Sequence, residues 1–406
     1  MPRVALVCGT YAPERDGVAD HVRRLAGHLP ATGWSPIVIS TAAVGGIRRA
    51  AGALDELAPD VVHVHFAPSS YGFSPRVGLL PRLLRRDLPI VTTLHEYGWW
   101  SWPARLPAAG WRALERAGRW DRETGLLGPG SAELVVTNAG HAAAVAGRLG
   151  REPRLVPLGP NVEPTDGSPT GARSALRRRL GLSADARVLA FFGFVHPVKG
   201  VRYLLDAVAT LRGAYPDLHV VVAGGFTSLA LPADEAAAFR QELAEHAAGR
   251  GVAEAVSFTG HLPAADVSRM LHGADAAVLP FTAGVTTKSG ALLAAWAHRL
   301  PVVATVGADR DAAVADGRTA VLVDRVRDGA ALAAGIRRLL DDPGLAERVA
   351  GGGAAVAATR SWSAVSTAHA QVYAGAAGWA AATAGRAGAA ADPAVAATGR
   401  PGRLAP

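Results

Sequence analysis

The chain has 406 residues, half of them hydrophobic, with a formal net charge of +8 and a single cysteine. Such a length exceeds one ordinary core and sets two domains as the expectation, while one cysteine rules out an internal disulfide framework. No apolar run approaches the roughly 20 residues that span a bilayer, and no zinc-finger, RNA-recognition or helix-turn-helix signature accompanies the charge, so nucleic acid is not expected as a partner.

The positive balance suits anions such as nucleotides or phospholipid headgroups. No basic stretch leading into an apolar run is read at the N-terminus, and Cys8 sits in the apolar run Val4–Cys8 as a small buried hydrophobe. A cytoplasmic protein is expected, with peripheral contact at the inner membrane face left open.

In chain order, Val4–Cys8, Pro36–Ser40, Val61–Phe66, Ile90–Leu94 and Leu134–Thr137 read as strands. Between the first two, Val18, Val22, Leu25 and Leu29 fall on one face of a helix. Strands alternating with helices predict a parallel, doubly wound α/β sheet covered on both faces. The alternation breaks at the Pro-, Gly- and Asn-rich stretch 157–169 and then restarts. Val188–Phe192, Leu218–Ala223, Val256–Thr259, Ala276–Pro280, Val302–Ala304 and Ala320–Val323 read as the second set of strands. The expected organisation is a first Rossmann-like domain over 1–160, a linker and start of the second over 161–185, a second Rossmann-like domain over 186–360, and a closing helix over 361–375. Residues 376–406, mostly Ala, Gly and Pro without apolar periodicity, are expected to form a disordered tail.

In open parallel sheets, ligands bind beyond the carboxyl ends of the strands, so the loops after strands are the places to look. The first is Gly9–Gly17, which lacks a dinucleotide fingerprint but brings Gly17 to a helix start, where backbone can approach a ligand. The fourth strand ends in His95-Glu96, a pair able to bind a sugar hydroxyl or move a proton. Behind it, residues 97–122 hold five of the nine tryptophans, Trp100 and Trp102 among them, interleaved with arginines including Arg105. Aromatic faces stack on sugars and aglycones, and tryptophan with arginine also suits a membrane interface.

The most informative residues are the lysines. Of 42 basic side chains only two are lysine, Lys199 and Lys288, and each stands in a glycine-bearing loop between a strand and a helix. Such a turn offers backbone N–H groups and the positive end of a helix dipole, and lysine adds a mobile charge. Gly193 and Lys199 in the first loop, and Thr287, Lys288, Ser289 and Gly290 in the second, are the expected phosphate-binding residues.

Taken together these motifs resemble a retaining glycosyltransferase with two Rossmann-like domains, the GT-B fold, close to glycosyltransferase family four. The resemblance covers about residues 3–375. Pro13 and Asp16-Gly17-Val18-Ala19-Asp20-His21-Val22 resemble the family's N-terminal glycine loop. Asp60–His65 resembles its third strand, and Thr92–His95 the strand ending in a histidine. Gly193 to Lys199-Gly200 resembles the donor-phosphate loop, and Leu292–Thr305 the helix-strand unit lining the donor. The resemblance implies transfer of a sugar from a nucleotide-diphosphate donor with retention at the anomeric carbon. It implies a catalytic role for Lys199 and His95; Lys288, a cation the common pattern lacks, is expected to join Lys199 on the departing diphosphate, and Asp20, Glu96, Trp100 and Trp102 are expected to contact the acceptor. The acceptor is left open as a saccharide, a lipid-linked sugar or a natural-product aglycone.

The chain departs from the family where two glutamates seven residues apart usually meet the donor sugar and ribose. Thr287 and Ala294 occupy those positions, and Phe194 stands where an arginine is usual. No cofactor and no metal is expected, since no cluster of His, Cys, Asp or Glu is read in the sequence and lysines can neutralise the departing diphosphate. The alternatives are a hydrolase or epimerase of the same fold, or a non-catalytic sugar-nucleotide-binding or partner subunit.

Overall fold

The computed structural model describes residues 1–390 other than 15, 103–105, 166–168, 228–232 and 309. Arg105 and the 391–406 part of the expected tail lie outside the described residues. Two six-stranded sheets, parallel throughout, organise the chain. The first contains β1 (Arg3–Cys8), β2 (Ser35–Ser40), β3 (Val61–Phe66), β4 (Ile90–Leu94), β5 (Glu133–Val136) and β6 (Arg154–Leu155), in the order β2-β1-β3-β4-β5-β6. The second contains β7 (Val188–Phe192), β8 (His219–Ala223), β9 (Val256–Gly260), β10 (Ala276–Leu279), β11 (Val302–Thr305) and β12 (Val321–Val323), in the order β12-β11-β10-β7-β8-β9.

The strands lie where short, largely apolar runs rich in Val and Ile placed them. Val61–Phe66 is buried along its whole length, as a strand covered by helices on both faces must be. Each expected strand begins and ends within one residue of its observed bounds. The strand missed, β6, is two exposed residues at a sheet edge and carries no periodicity to read.

Two apolar clusters sandwich the first sheet and a third fills the second domain. Residues 169–180, placed in the linker by sequence, form a helix whose Leu176 belongs to the second core. The last helix, Trp362–Ala390, sends Trp362, Val365, Val372 and Tyr373 into the core beneath the first sheet, and Trp362 Nε1 donates to Pro160 O at 2.7 Å. It corrects the expectation of a disordered tail beginning at 376. Alanine is the best helix former, so an Ala-rich stretch can stay helical without apolar periodicity. No helix among the described residues is long and apolar enough to cross a membrane.

The strand orders fix where ligands can enter. Connections leave β1 toward β2 and β3 on opposite sides, and leave β7 toward β8 and β10 likewise. The crevices at these two reversals open at the carboxyl ends, between the loops after β1 and β3 and between the loops after β7 and β10. Lys199 follows β7 and Lys288 follows β10.

Candidate functional site

The loops after β7 and β10 are locked to each other before any side chain acts. Thr282 N and Oγ1 both donate to Val198 O, at 2.9 and 3.2 Å. Gly200 has φ +68°, and a Cβ there would sit 2.0 Å from Pro280 O, so only glycine lets the two backbones approach this closely. Gly193, at φ +130°, turns the chain as it leaves β7. Pinning these loops lays Lys199 Nζ over the Phe281 ring, 3.8 Å from its centroid. No carboxylate among the described residues pairs with it. Burial alone lowers its pKa to about 8.

The β10 loop ends at Ser289, whose hydroxyl accepts from Leu292 N at 3.3 Å and caps the helix Gly290–Ala297. Gly290 lies against Asn161 from the inter-domain segment, close enough that a Cβ would clash with it. Thr287 is buried, and its N–H and hydroxyl both donate to Asp311 Oδ2, at 2.8 and 2.6 Å. Ala294 is fully buried in the helix. Neither position offers a carboxylate, but Asp311, from the segment after β11, reaches the loop that carries Lys288. These hydrogen bonds hold the Asp311 carboxyl below its usual range despite its burial.

Lys288 reaches across to the first domain. Its Nζ lies 3.1 Å from His141 Nε2, on the helix Ala139–Leu149, while His141 Nδ1 faces Leu94 O at 3.3 Å. Burial first, and then the Lys288 charge, lowers the His141 pKa to about 4, so the imidazole is neutral and accepts from the ammonium. Glu96 is also within the field of Lys288. Burial raises its carboxyl, opposed by hydrogen bonds from Ser69, whose hydroxyl lies 3.2 and 3.3 Å from its two oxygens.

His95 stands at the end of β4 with Nε2 3.1 Å from His65 Nδ1. Burial lowers its pKa to about 3, which leaves it a hydrogen-bonding group and a poor proton carrier near neutral pH. It belongs to a set of buried imidazoles with His21, His63, His65 and His369, all lowered by desolvation. His63 bonds Tyr373 Oη and Thr93 Oγ1, both at 2.7 Å, so part of the set ties the last helix to the sheet. His21, His65 and His95 offer ring nitrogens within 4.8 Å of one another. This corrects the expectation that no such cluster exists. The residues come from three elements 30 or more positions apart, and the sequence alone does not bring them together.

The remaining expected residues divide. Gly17 opens the helix Gly17–His28 behind Asp16, whose side chain caps it, and a Cβ at Gly17 would meet nothing. Space is left on that face. Asp20 is held in ion pairs with Arg23 and Arg24 of the same helix. Trp100 is half-buried in the loop after β4. Trp102 packs edge-to-face on Trp120 at 4.7 Å and lies against Gly78 and Gly125, so it builds the wall of the first domain. Trp99, not singled out by sequence, is 61% exposed and stands beside the exposed Phe73. His141 and Asp311 were missed as well, since each acts through a partner distant in sequence.

Comparison with known proteins gives three findings. Residues 186–342 match the family model described as glycosyl transferases group 1. The D-inositol 3-phosphate glycosyltransferase of Thermomonospora curvata is 31% identical over 348 residues, covering 82% of this chain and 75% of the relative. That of Geodermatophilus obscurus is 33% identical over 294 residues, and there the chain spans only 59% of the relative's length. Among solved structures, Anabaena Alr3699/HepE in complex with UDP and glucose superposes with a TM-score of 0.66 at 17% identity, covering 92% of this chain and 99% of that one. At that identity the likeness is one of fold.

Proposed function

The chain belongs to the group 1 glycosyl transferases, and from that membership we propose that it moves a sugar from a nucleotide-diphosphate donor to an acceptor hydroxyl with retention at the anomeric carbon. The observation that carries this reading is Lys199. A half-buried lysine without a carboxylate costs the fold free energy, and its place between two locked loops at the carboxyl ends of β7 and β10 suits a diphosphate. The Anabaena neighbour, bound to UDP and glucose, supports a nucleotide-sugar donor.

As the bond from the anomeric carbon to the diphosphate breaks, its electron pair goes to the phosphate oxygen. Lys199, Lys288 and the first N–H groups of the helix Gly290–Ala297 stabilise that charge. The acceptor oxygen bonds to the carbon on the same face, and its proton passes to a phosphate oxygen of the leaving group. His95, neutral at working pH, hydrogen-bonds the donor sugar and moves no proton. No metal enters this scheme, because the two lysines supply the positive charge. Asp311 holds the Lys288 loop in place through Thr287.

The test is turnover by the purified chain with a panel of nucleotide sugars, UDP-glucose first, followed by release of the nucleoside diphosphate with and without candidate acceptors. Acceptor-dependent release with a retained anomer in the product supports the reading. Release without an acceptor would make the protein a hydrolase. Tight donor binding with no turnover across a broad acceptor panel would make it a non-catalytic subunit.

A further inference from the structure

Three imidazoles meet near the carboxyl ends of β3 and β4. His21 comes from the helix Gly17–His28, His65 from β3 and His95 from the turn after β4. Their ring centroids lie 4.8, 5.4 and 5.5 Å apart. Imidazoles bound through one nitrogen each to a tetrahedral ion, with metal–nitrogen bonds of ~2.0–2.1 Å, hold their centroids roughly 5.2 Å apart. One ring nitrogen from each residue lies within 4.8 Å of the other two, so small pivots of the rings bring all three onto one ion.

The hydrogen bonds of this group do not close. His65 Nδ1 faces His95 Nε2 at 3.1 Å, a contact that one proton satisfies. His65 Nε2 and His21 Nε2 are buried and have no partner among the described residues. His65 is fully buried and His21 is 7% exposed, so bulk solvent does not complete the set. The neighbouring His63 differs, since Tyr373 Oη and Thr93 Oγ1 use both of its nitrogens. Each neutral imidazole carries one N–H and one lone pair. Buried polar atoms without partners call for an explanation, and a cation that takes lone pairs supplies one.

The chemistry of the donors narrows the ion. Three neutral imidazoles without a thiolate or carboxylate suit zinc and its first-row neighbours, and not magnesium or calcium, which take oxygen ligands. Among the described residues, the histidines paired with carboxylates are His28 and His246, outside this group. The ion keeps its full charge there, so its binding is expected to be reversible. Desolvation holds all three rings in the neutral form that ligates. Trp362 packs against His21 at 5.1 Å and walls one side. His95 is only half-buried and opens the fourth position to solvent.

We propose that His21, His65 and His95 form a binding site for zinc or a similar first-row divalent cation, with one coordination position left open. Occupancy takes a ring nitrogen of His95, the group that hydrogen-bonds the donor sugar. The ion is therefore a reversible inhibitor of transfer and takes no part in its chemistry. That consequence rests on the transferase reading, whereas the site itself rests on the three rings.

Calorimetry with zinc chloride on the tag-free full chain, first treated with EDTA and dialysed, tests the site, with magnesium as the control. Zinc should bind at one equivalent, and magnesium should not bind at the same concentration. Cobalt(II) should give the intense visible absorption of a four-coordinate ion, and zinc should abolish it. His21→Gln and His65→Gln should each weaken zinc at least tenfold, whereas His28→Gln, on the same helix as His21 but outside the group, should bind as the wild type does. If a buried variant fails to fold, His95→Gln, at the half-buried ligand, carries the same expectation. No zinc binding, zinc binding unchanged in these ligand variants, or the weak absorption of six-coordinate cobalt overturns the proposal. In the transfer assay zinc should suppress turnover and EDTA should restore it. A chain that holds zinc through these histidines yet transfers at full rate keeps the site and removes His95 from the donor sugar. One that holds zinc in the same way but transfers no sugar, with or without EDTA, keeps the site and overturns the transferase reading.

Discussion

Replacing Lys199 by methionine should stabilise the ligand-free protein while weakening its grip on a nucleoside diphosphate. Methionine keeps most of the length of the side chain and removes the charge. Burial lowers the lysine from 10.5 to about 8, a difference of about 2.5 pK units, or ~3.4 kcal/mol of unfavourable desolvation at 1.36 kcal/mol per unit. The ring of Phe281 under the ammonium returns ~0.5–2 kcal/mol. Lys199 is only half-buried as a residue, so the net gain for the variant at neutral pH is set at ~1–2 kcal/mol, a few degrees in melting temperature.

The sign follows from the depressed lysine. Below about pH 8 both folded and unfolded chains hold the proton, and the whole cost is present. From about 8 to 10.5 the folded lysine gives up its proton first and the cost fades, so the wild type and the variant should converge in stability. Diphosphate binding runs the other way, because a phosphate beside Lys199 favours its charged form. Wild-type affinity should be greatest below pH 8 and fall as pH rises above it, and Lys199→Met should flatten that slope. Scanning calorimetry at pH 7 and 10, with nucleotide titrations over the same range, measures both. A variant less stable than the wild type at pH 7, with nucleotide affinity unchanged, would show that Lys199 serves the fold and refute the reasoning.

Lys199→Ala should reduce turnover at saturating donor by roughly a hundred- to a thousand-fold, the cost of one preorganised donor to a developing anion, ~3–4 kcal/mol; Lys288→Ala should be milder, and near-normal turnover in Lys199→Ala would remove the phosphate assignment. With Thr287 and Ala294 offering no carboxylate to the ribose, 2′-deoxyribose and ribose nucleoside diphosphates should bind within about tenfold, ~1.4 kcal/mol, in calorimetry; a larger gap would mean that another residue grips the ribose. Activity should survive EDTA, since the two lysines supply the charge; activity lost to the chelator and restored by manganese or magnesium would sink that account. Trp102→Ala should lower the melting temperature, losing up to ~3 kcal/mol of packing on Trp120, Gly78 and Gly125, whereas Trp100→Ala should spare stability and weaken acceptor use; equal effects of the two on acceptor kinetics would place both in the wall.

What could be read from the sequence was what depends on neighbours along the chain. Eleven short, largely apolar runs marked eleven strands to within a residue. The two lysine loops were legible for the same reason, since a glycine-bearing turn between strand and helix is a local pattern. Where the local signal was thin the reading failed: β6 has two residues, and the Ala-rich stretch to Ala390 is helical without apolar periodicity to read. The working geometry was decided by tertiary structure. Lys288 meets His141 from 147 positions away, Asp311 reaches Thr287 from a neighbouring strand connection, and the imidazoles of His21, His65 and His95 gather from three elements. No periodicity encodes such meetings. They arise because parallel strands place the loops that follow them at one edge of the sheet, and because a second domain folds against the first. The sequence supplies the side chains, and the sheet order decides which of them share a site.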